Sequence, residues 1–509
     1  MFSDEQSFTS VTLIAIIFSF AGWIFYCQFL HPLRTIPGPI LASFSQAWIV
    51  YHTVRGDLEK AQRKLHKKHG YLIRIAPDEI ACSDPEGIKI IYGKKTVFSK
   101  AESYAAFTPP TDVQDVGYAG HFATRDEKAH SQRREIVEKV YSLPSILQYE
   151  PLIDSCTDMF CSTMKEFANE KSVVDLGLWI NRYTFDVIGE LFFGTAFGFM
   201  RLRKDVGLCM TAVDTLRSTF AVKSALPPSL TYFYKLLTIY FMDTVKGAMV
   251  AVSKIDAAAM TAVRRRTEAI EQKKDKRRDL LRKMLDISAK TKDEKAFTRD
   301  HISFETQNAV FDGGDPTAIA INSILYHLVR NPSTYERVTA EIDAANLSLP
   351  VAYDDASKLP YLKACINEAM RIHPSVGATL SRVVPEAGAT VSGFYIPGGN
   401  RVGINAAVVQ FDEKVFGEDS EAFNPDRWFS SDKGKVTKME ETMLQFGMGP
   451  RQCIGQHIAL VEIYKFVPHV MKLFHIRLEE PVKSWTTKTS WFSKQSSINV
   501  YIEERSAGN

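Results

Sequence analysis

A ten-residue stretch, Phe446–Gly455 (FGMGPRQCIG), constrains this chain more than any other feature. It places one cysteine, Cys453, in a loop with glycines at 447, 449 and 455, and Arg451 precedes the cysteine by two positions. Glycine lets a backbone fold back tightly because it has no Cβ to clash. An apolar run with helical spacing follows, and the N-terminus of a helix favours a thiolate over a thiol. The loop therefore predicts a cysteine presented to a metal ion.

The spacing F-x-x-G-x-R-x-C-x-G resembles the haem-binding loop of the cytochrome P450 superfamily, and every fixed position is present. The alternative is a buried free cysteine in a glycine-rich turn, which is the usual fate of a lone cysteine. The resemblance implies haem b as the cofactor and Cys453 as the axial ligand of its iron, a ligand that favours O–O cleavage. Further cofactor contacts implied by the resemblance are Phe446, Gly447, Arg451 and Gly455.

Composition and length favour one large domain. The 509 residues correspond to about three ordinary domains, but no linker-like or low-complexity segment divides the chain. We predict an N-terminal segment at 1–35 and a single α-rich domain at 36–509. The formal net charge of +3 gives no reason to expect a nucleic-acid partner. Seven cysteines without paired spacing are typical of a reducing compartment.

The N-terminal segment predicts a membrane anchor. Residues 6–33 contain no aspartate, glutamate, lysine or arginine, and Val11–Leu30 is largely apolar. About 20 such residues are enough to cross a bilayer. A cleaved signal peptide is the alternative, but it begins with basic residues, whereas Asp4 and Glu5 stand here. Basic residues follow from Arg34, so we predict a single-pass anchor in the endoplasmic reticulum membrane, with the large domain cytosolic.

Hydrophobic periodicity predicts a mainly α-helical chain with small β-sheets, which is also the fold class that the resemblance implies. The predicted helices cover about 55–70, a short helix after Asp84, 127–141, 150–170, 178–194, 203–222, 240–272, 298–329 with one break, 332–345 and 357–371. The predicted strands lie at about 71–82, within 380–404, and at 475–478 and 497–502, the last two as a hairpin. The basic stretch 264–283 has interspersed acids and predicts a solvated helical face. Contact with lipid head groups or an acidic reductase is the alternative for that stretch.

Glu368 and Arg371 are three apart in a predicted helix, which puts a carboxylate and a guanidinium on one face. Alone, such a pair arises readily by chance on surface helices. Its context, with Ile372-His373-Pro374 next and Phe423–Trp428 (FNPDRW) downstream, resembles the glutamate–arginine–arginine triad of the family. The resemblance implies that Arg427 joins Glu368 and Arg371 in a buried structural network that holds the cysteine loop.

Haem carries two propionates, which need cationic partners. His130 and Arg134 are four apart in a predicted helix and face one way, and similar H-x-x-x-R segments of the family contact a propionate. Arg451 and Arg382 match two further propionate donors of the family. Arginine suits this task because its planar fork meets a carboxylate in bidentate fashion. The alternative for Arg382 and Arg451 is a surface arginine near acidic residues.

Residues 312–318 (DGGDPTA) depart from the family pattern A/G-G-x-D/E-T-T, in which an acid and an alcohol relay protons to the oxygen site. One register aligns Thr317 with the alcohol and leaves proline at the acid position. The other aligns Asp315 with the acid and puts Pro316 in place of the alcohol; the continuation into Leu325–Pro332 favours it. Asp315 and Thr317 are thus the candidate catalytic residues. Because proline removes an amide donor and clashes with the carbonyl four residues back, we expect a broken helix here.

Asp312 occupies a position where the family prefers a small apolar residue. A polar or cationic substrate group near Asp312 is one hypothesis. Another is that Asp312, a water or a substrate hydroxyl replaces the missing alcohol. By resemblance, the substrate pocket uses segments that are largely apolar and aromatic, as a lipophilic ligand requires. These segments are 104–120, parts of 205–235, 376–380 and the hairpin near Trp491-Phe492.

The resemblance implies a membrane-anchored haem-thiolate monooxygenase of the fungal, pisatin-demethylase-like type, acting on a lipophilic small molecule of secondary metabolism. Segments 31–39 and 98–104 resemble such fungal members most. The sequence has no flavin-type or Rossmann-type glycine signature, so NADPH-cytochrome P450 reductase is the expected electron donor, with cytochrome b5 as an additional partner.

Two other hypotheses compete with monooxygenation. An enzyme with the same haem that desaturates, couples, rearranges or isomerises without inserting oxygen is consistent with the altered acid–alcohol pair. A non-catalytic haem binder or membrane scaffold is the third class, and nothing positive in the sequence supports it.

Overall fold

The computed structural model describes residues 2–94, 98–108, 120–291, 296–496 and 498–505, and it is mainly α-helical with small β-sheets, which confirms the predicted fold class. The helices up to residue 271 are α1 (Phe2–Phe25), α2 (Ile40–Phe44), α3 (Ala47–Arg55), α4 (Leu58–His69), α5 (Pro85–Tyr92), α6 (Gly120–Ala123), α7 (Glu127–Val137), α8 (Leu143–Ile146), α9 (Glu150–Glu170), α10 (Leu176–Ile188), α11 (Phe199–Leu202), α12 (Cys209–Ala225), α13 (Pro228–Phe241) and α14 (Asp243–Glu271). The helices that follow are α15 (Leu280–Lys290), α16 (Arg299–Asp312), α17 (Gly314–Arg330), α18 (Pro332–Ala344), α19 (Tyr353–Ala356), α20 (Pro360–Ile372), α21 (Ala406–Val409), α22 (Glu413–Phe416), α23 (Lys433–Thr442) and α24 (Gln456–Leu473).

The strands form small sheets around this helical body. They are β1 (Leu72–Ala76), β2 (Glu79–Cys82), β3 (Ser99–Lys100), β4 (Val174–Asp175), β5 (Arg382–Val383), β6 (Ala389–Val391), β7 (Phe394–Ile396), β8 (Arg401–Ile404), β9 (Phe474–Leu478), β10 (Thr486–Thr489), β11 (Ser493–Ser496) and β12 (Asn499–Glu504). The largest sheet has the order β1-β2-β8-β5-β3, in which only the β2–β8 pair is parallel. The smaller sheets are β4-β12-β9, β10-β11 and β6-β7.

Helix α17 lies at the centre of the core. Every residue from Thr317 to Tyr326 is buried, and this segment carries no charged side chain. A helix that is apolar on all sides is stable only when neighbouring elements surround it. The surrounding elements here are α10, α20 and α24, and α16 precedes α17 directly. The buried helix therefore fixes the position of whatever its first turn presents.

Most predicted elements agree with the structure, and the differences have local causes. Helix α9 matches the predicted 150–170, and Asp84 caps α5 by accepting a hydrogen bond from the Glu86 amide at 3.0 Å. The predicted helix 55–70 is wrong at its start, because Gly56 takes φ +75° and ends α3 before α4 begins. Helix α13 was not predicted, since it lies between the predicted helices 203–222 and 240–272. Strands β9 and β12 pair as predicted, but β10 and β11 lie between them, so they do not form a hairpin, and Ser497 lies outside the described residues.

The N-terminal helix fits the membrane-anchor prediction. Val11–Leu30 has a mean hydropathy of 2.0, and only 6% of it is buried. The helix ends in a wider turn, Tyr26–Leu30, and the Trp23 indole donates to the Phe44 carbonyl oxygen at 2.8 Å. Arg74 donates to the Cys27 carbonyl oxygen at 3.1 Å. One apolar helix near the N-terminus is thus long enough to cross a bilayer and is joined to the domain by polar contacts at its end.

The basic stretch 264–283 is solvated only in part. Arg264 and Arg265 are exposed, as the charge pattern predicts. For Arg266 the prediction is wrong, because its guanidinium is buried and binds both oxygens of Asp279, at 3.1 and 2.9 Å. The Asp279 side chain is fully buried, and Arg277 binds the same carboxylate at 2.9 Å. Asp275 and Asp279 thus turn inward to meet the arginines of this stretch, while Glu268 and Glu271 stay exposed, a division that the linear charge pattern does not reveal.

A buried ion network connects α20 to the segment before the cysteine loop. Glu368 binds Arg371 at 2.8 and 2.9 Å and Arg427 at 2.9 Å. Arg371 also donates to the Gln410 carbonyl oxygen at 2.9 Å. The Gln410 side chain accepts the Leu444 amide at 2.8 Å, two residues before the loop begins. The structure therefore brings the three residues of the expected triad together and links them to the loop.

Replacing Glu368 is expected to destabilise the domain strongly. Glu368→Ala would leave the buried guanidinium of Arg371 without its carboxylate, which costs about 3–5 kcal/mol, while Arg427 would keep its second carboxylate partner, Asp419. We expect a correspondingly lower free energy of unfolding in a denaturant titration and loss of bound haem from the purified protein.

Asp426→Ala is the matched control. Asp426 pairs with Arg337 at 2.6 Å, but both side chains are more than half exposed. Breaking such a pair costs under about 1 kcal/mol. Equal losses in the two variants would contradict the assignment of the Glu368 network as the support of the loop.

Candidate active site

The segment Phe446–Gly455 forms a closed loop that turns its cysteine inward. The Cys453 amide donates to the Phe446 carbonyl oxygen at 2.8 Å. Gly447 and Gly449 take φ of +69° and +70°, a region that favours glycine. A Cβ at Gly449 would lie 2.0 Å from a backbone carbonyl oxygen, so no other residue fits there. Helix α24 begins directly after Gly455, which leaves the sulfur at a helix N-terminus.

The sulfur of Cys453 faces an internal cavity and is otherwise enclosed by protein. Burial raises the pKa of the Cys453 thiol to about 11, although the backbone amides of Gly455 and Gln456 bond the sulfur and act in the opposite direction. The helix end favours a thiolate, as the sequence predicts, but desolvation has the larger effect. A thiolate here therefore needs a cation beside it, and a coordinated metal ion deprotonates a thiol outright.

Three buried cations, Lys100, Arg382 and Arg451, line the same cavity. Lys100 and Arg382 are direct partners across β3 and β5. Burial, together with Arg382 and Arg451, holds the pKa of Lys100 well below its usual range. Arg382 keeps one nitrogen, Nη1, without a hydrogen-bond partner. Clustered cations with an unused donor fit an anionic group in the cavity.

Arg451 is held by helix α7 and the segment before it. Its Nε donates to Glu127 at 2.9 Å, and its Nη1 donates to the Thr124 carbonyl oxygen at 2.8 Å. Nη2 lies 2.8 Å from the other Glu127 oxygen, but without the geometry of a hydrogen bond, so that contact is electrostatic. Arg451 is thus oriented by protein groups and keeps Nη2 free to meet an anion.

His130 and Arg134 lie on one face of α7 and line the cavity together. Burial, followed by the charge of Arg451, lowers the pKa of His130 to about 2, so the imidazole is neutral. Arg134 donates to the Gln452 carbonyl oxygen at 2.7 Å, next to Cys453. The structure therefore brings all four predicted propionate donors, His130, Arg134, Arg382 and Arg451, to the cavity that Cys453 faces.

These residues fit a haem. A neutral donor and several cations suit its two carboxylates, and Cys453 is a ligand for its iron. A Cβ on Gly455 would meet no protein atom within 4 Å, so the glycine keeps open space on the cavity side. Within the described ranges, no group of three histidine, cysteine or acidic residues could bind a metal ion.

The expected helix break lies between α16 and α17. Helix α16 ends at Asp312, and α17 starts at Gly314. Pro316 is therefore in the first turn of α17, where its missing amide donor costs no intrahelical bond. A Cβ at Gly313 would lie 2.6 Å from Ile188, and one at Gly314 would lie 2.6 Å from a ring carbon of α10. The break thus packs its glycines against α10 and turns its other side to the cavity.

Asp315 is buried in a polar network that points away from the cavity. Asn181 of α10 donates to its carboxylate at 3.0 Å, and Arg217 of α12 forms a buried ion pair with it. Lys494 of β11 lies 3.5 Å away and also pairs with Asp214. Burial acts to raise the pKa of Asp315, but Lys494 and Arg217 outweigh it and lower that pKa. Asp315 is therefore ionised, and its carboxylate links α17 to α10, α12 and β11.

Pro316 and Thr317 line the cavity, whereas Asp315 does not. The Thr317 hydroxyl donates to the Gly313 carbonyl oxygen at 3.0 Å, within its own helix. The Ser375 hydroxyl donates to the Pro316 carbonyl oxygen at 2.7 Å. Neither member of the predicted acid–alcohol pair is thus free in this conformation, and their role in proton delivery stays a prediction.

Asp312 differs from Asp315 in its position relative to the cavity, in its pairing and in the direction of its pKa shift. Protein encloses it completely, yet its carboxylate is exposed to the cavity, and no described residue pairs with it. Burial raises the pKa of Asp312 to about 6, while Arg217 and Lys100 act to lower it. Asp312 and Cys453 also act on each other, because the carboxylate raises the pKa of the thiol. An unpaired carboxyl group therefore lies within the electrostatic field of the sulfur.

The whole cavity has a volume of about 300 Å³, and the rest of its lining is mainly apolar. Its aromatic wall includes Tyr104, Phe107, Phe220, Trp491 and Phe492. These come from three of the predicted pocket segments, and Val376 and Leu380 represent the fourth. Of the predicted segment 104–120, residues 109–119 lie outside the described residues. The lining suits a lipophilic molecule held beside Cys453.

Three site residues were not found by sequence reasoning. Lys100 stands one strand away from Arg382, and its signal would have been the pairing of two short strands that are far apart in sequence. Arg217 and Lys494 reach Asp315 across 98 and 179 positions. No local sequence pattern predicts these contacts, because they depend on how α12 and β11 pack against α17.

This helical domain has a cysteine loop, a cluster of cations and an apolar cavity, which together are typical of haem-thiolate enzymes. Comparison with known proteins leads to the same class. The model of the cytochrome P450 family matches residues 36–500. The chain is 39% identical over 506 residues to cytochrome P450 monooxygenase gsfF of Penicillium aethiopicum, with 97% of this chain and 98% of that protein covered. It is 32% identical over 480 residues to cytochrome P450 monooxygenase cicH of Emericella nidulans, covering 93% and 94%. Pisatin demethylase of Fusarium vanettenii is 31% identical over 499 residues, covering 95% and 93%.

The chain belongs to the cytochrome P450 family. It is an oxidoreductase, and its cofactor is a haem with a thiolate ligand to iron, as the family requires. The fungal origin of these relatives confirms the resemblance that the sequence indicates.

Asp312→Asn is expected to stabilise the protein at neutral pH. An acid whose pKa is raised on folding, here to about 6, binds a proton more tightly in the folded state. Its contribution to stability is complete below the unfolded pKa of about 3.9 and is lost as the pH rises through the folded pKa. The variant should therefore gain about 1–2 kcal/mol above pH 7, less than the full shift because the cavity admits water.

Denaturant titrations at pH 5 and pH 7.5 measure this difference. The gain should shrink at the lower pH, since Asp312 is then largely protonated in the folded wild type. Asp300→Asn, on the exposed start of the same helix, is the control and should change stability by under about 0.5 kcal/mol. A gain that does not depend on pH would contradict the raised pKa of Asp312.

Proposed function

We propose that this chain is a membrane-anchored monooxygenase that uses haem b to oxidise a lipophilic small molecule of fungal secondary metabolism. The observation that carries the proposal is that Cys453 and a mainly apolar cavity wall face each other. Two of the relatives above are named monooxygenases, and one is named a demethylase of pisatin. These names support oxidative modification of a small organic molecule, and the substrate itself is left to experiment.

The side chains of this protein have separate tasks in such a reaction. Bound haem would supply dioxygen activation and transfer of an oxygen atom to the substrate. Cys453 would hold the iron, and Arg382 and Arg451, with His130 and Arg134, would neutralise the propionates. The aromatic wall would orient the substrate and exclude water, which protects a reactive oxidant from side reactions.

Proton delivery is assigned to the break between α16 and α17. Asp315 and Thr317 remain our candidates, and Asp315 would first have to leave its pair with Arg217. Asp312, a water molecule in the break or a substrate hydroxyl are the alternative proton carriers. Of these, Asp312 lines the cavity directly before the break.

Electrons are assigned to a separate protein. NADPH-cytochrome P450 reductase is the proposed donor, with cytochrome b5 as an additional partner, because the sequence shows no flavin-type or Rossmann-type glycine signature. The proposed location is the endoplasmic reticulum membrane, with Val11–Leu30 as a single span and the domain in the cytosol. The apolar span and the basic residues after it support this orientation.

A second candidate function is a haem-dependent reaction without oxygen insertion, such as desaturation, ring coupling, rearrangement or isomerisation. Pro316 at the position of the usual alcohol favours it, as does the engagement of Asp315 by Arg217 and Lys494. Both features reduce the groups ready to deliver protons. The two candidates differ in the origin of the oxygen in the product.

Heavy-isotope dioxygen distinguishes them. A fungal host with and without this chain would be grown under labelled dioxygen, and its metabolites compared by untargeted mass spectrometry. We expect a product that depends on the chain and carries the heavy oxygen. A changed but unlabelled product would support the second candidate. The Cys453→Ser variant should abolish either product, because serine cannot act as the thiolate ligand, and a retained product would overturn the proposal.

Removing residues 2–30 is expected to release the domain from membranes only in part. Helix α13 exposes Leu230, Tyr232, Phe233, Tyr240 and Phe241, a set of apolar side chains that fits a lipid surface. Flotation with microsomes measures the bound fraction. Adding Phe233→Ser and Phe241→Ser to the deletion should lower that fraction severalfold, whereas adding Val482→Ser, which is 94% exposed elsewhere, should not.

A further inference from the structure

The cavity side of helix α16 carries polar groups that neither bind the cofactor nor belong to the candidate pair Asp315 and Thr317. Glu305, Asn308 and Asp312 are spaced at i, i+3 and i+7, which puts them on one helical face, and all three line the cavity. Their neighbours in the wall are largely aromatic or aliphatic. Polar groups that are buried in an apolar pocket lose their hydrogen bonds to water. Their burial costs free energy unless other hydrogen-bond partners replace the water.

One of the three already has a partner. Glu305 lies 3.3 Å from the His121 ring, and both side chains are largely buried. The other two do not. The Asn308 amide nitrogen is buried without any hydrogen-bond partner, and the Asp312 carboxylate has none among the described residues. An unused donor and an unused acceptor therefore stand one helical turn apart, about 5–6 Å between their Cβ atoms.

The nearby cations are committed elsewhere. Arg217 is bound by Asp315, and Lys100 donates to the Phe122 carbonyl oxygen at 2.5 Å. Arg217 and Lys100 act to lower the pKa of Asp312 and Glu305 acts to raise it, but neither cation forms a hydrogen bond with its carboxylate. The described residues therefore leave the Asp312 carboxylate to a hydrogen-bond donor that the protein does not supply.

We propose that Asn308 and Asp312 bind a hydroxyl group of the substrate, which donates to the Asp312 carboxylate and accepts from the Asn308 amide. The proposal rests on the proposed function, because it deepens the description of the same cavity. It makes the substrate class a lipophilic molecule that already bears a hydroxyl group, oxidised at another position close to Cys453.

A hydroxyl satisfies both side chains at once, and other groups do not. An ammonium group can pair with Asp312 but has no acceptor for the Asn308 amide. An ether or a ketone accepts from Asn308 but leaves Asp312 unpaired. A hydrocarbon leaves both unpaired. Hydrogen bonds to a charged acceptor are about twice as strong as neutral ones, so Asp312 should contribute most of the selectivity.

The test uses ligands whose affinity for the iron is assured. 4-Phenylimidazole, its three hydroxyphenyl isomers and the matching methoxyphenyl ethers would be titrated into the full-length ferric holoenzyme, with Kd read from the absorption change on nitrogen ligation. In the wild type, at least one hydroxyl isomer should bind about tenfold more tightly than the parent. Its methyl ether should show no such gain.

Substitutions then assign the gain to residues. Asp312→Ala and Asn308→Leu should each reduce the ratio of parent Kd to hydroxyl Kd to within about twofold of unity. Asp300→Ala, which removes the same charge from an exposed position of α16, should keep the wild-type ratio. No gain for any hydroxyl isomer, an equal gain for the ether, or a gain that survives Asp312→Ala would each overturn the proposal.

Failure of the proposed function would look different. A protein that binds none of the imidazoles would lack an accessible thiolate-ligated haem, and the proposed monooxygenation would fail with it. Normal ligation of 4-phenylimidazole without selectivity for a hydroxyl group would leave the haem site intact and reject only the roles of Asn308 and Asp312.

Discussion

The burial of the Cys453 sulfur is the constraint on which the rest of the cavity depends. Without a cation, burial keeps the Cys453 thiol protonated, against the amides at the start of α24. A haem iron would supply that cation, and the carboxylates of the haem would suit the cluster of Lys100, Arg382 and Arg451, whose charges repel one another in the protein alone. The sulfur thus lacks a cation and the cluster of cations lacks an anion, and one haem would provide both.

Buried ion networks hold the elements that form this cavity. Glu368 connects α20 through Gln410 to the cysteine loop, and Asp315 connects α17 to α10, α12 and β11. Removing one member of such a network leaves a charge in a medium that solvates it poorly. The Glu368 network supports the segment before the cysteine loop, and the Asp315 network supports the helix that follows the break between α16 and α17.

Much of this architecture follows from the sequence, for reasons that can be stated. The cysteine loop and the triad combine residue types at fixed short spacings, and α9 and α17 have clear apolar patterns, so local rules suffice. The helix break at Gly313 also follows, because the effect of Pro316 acts within one turn. Helix α13 escapes prediction, since its apolar residues surround the helix and many face outward.

Long-range pairing accounts for most of the remaining errors. The burial of Arg266 depends on Asp279, which returns to it only after α14 ends. The engagement of Asp315 depends on Arg217, which belongs to a helix that packs over the cavity from another part of the chain. Neither contact has a local signature. The first changes the interpretation of Arg266 from solvated to buried, and the second gives Asp315 a structural contact in addition to its proposed role.

The break between α16 and α17 divides adjacent positions into two kinds. Gly313 and Gly314 are fixed by the close approach of α10, so substitutions there would displace a core helix. Asp312, directly before them, touches the cavity and supports no neighbour. The side chain at 312 can therefore change in evolution without displacing α10. If residue 312 binds substrate as proposed, a single substitution there would give this protein, or a duplicate of its gene, a different substrate.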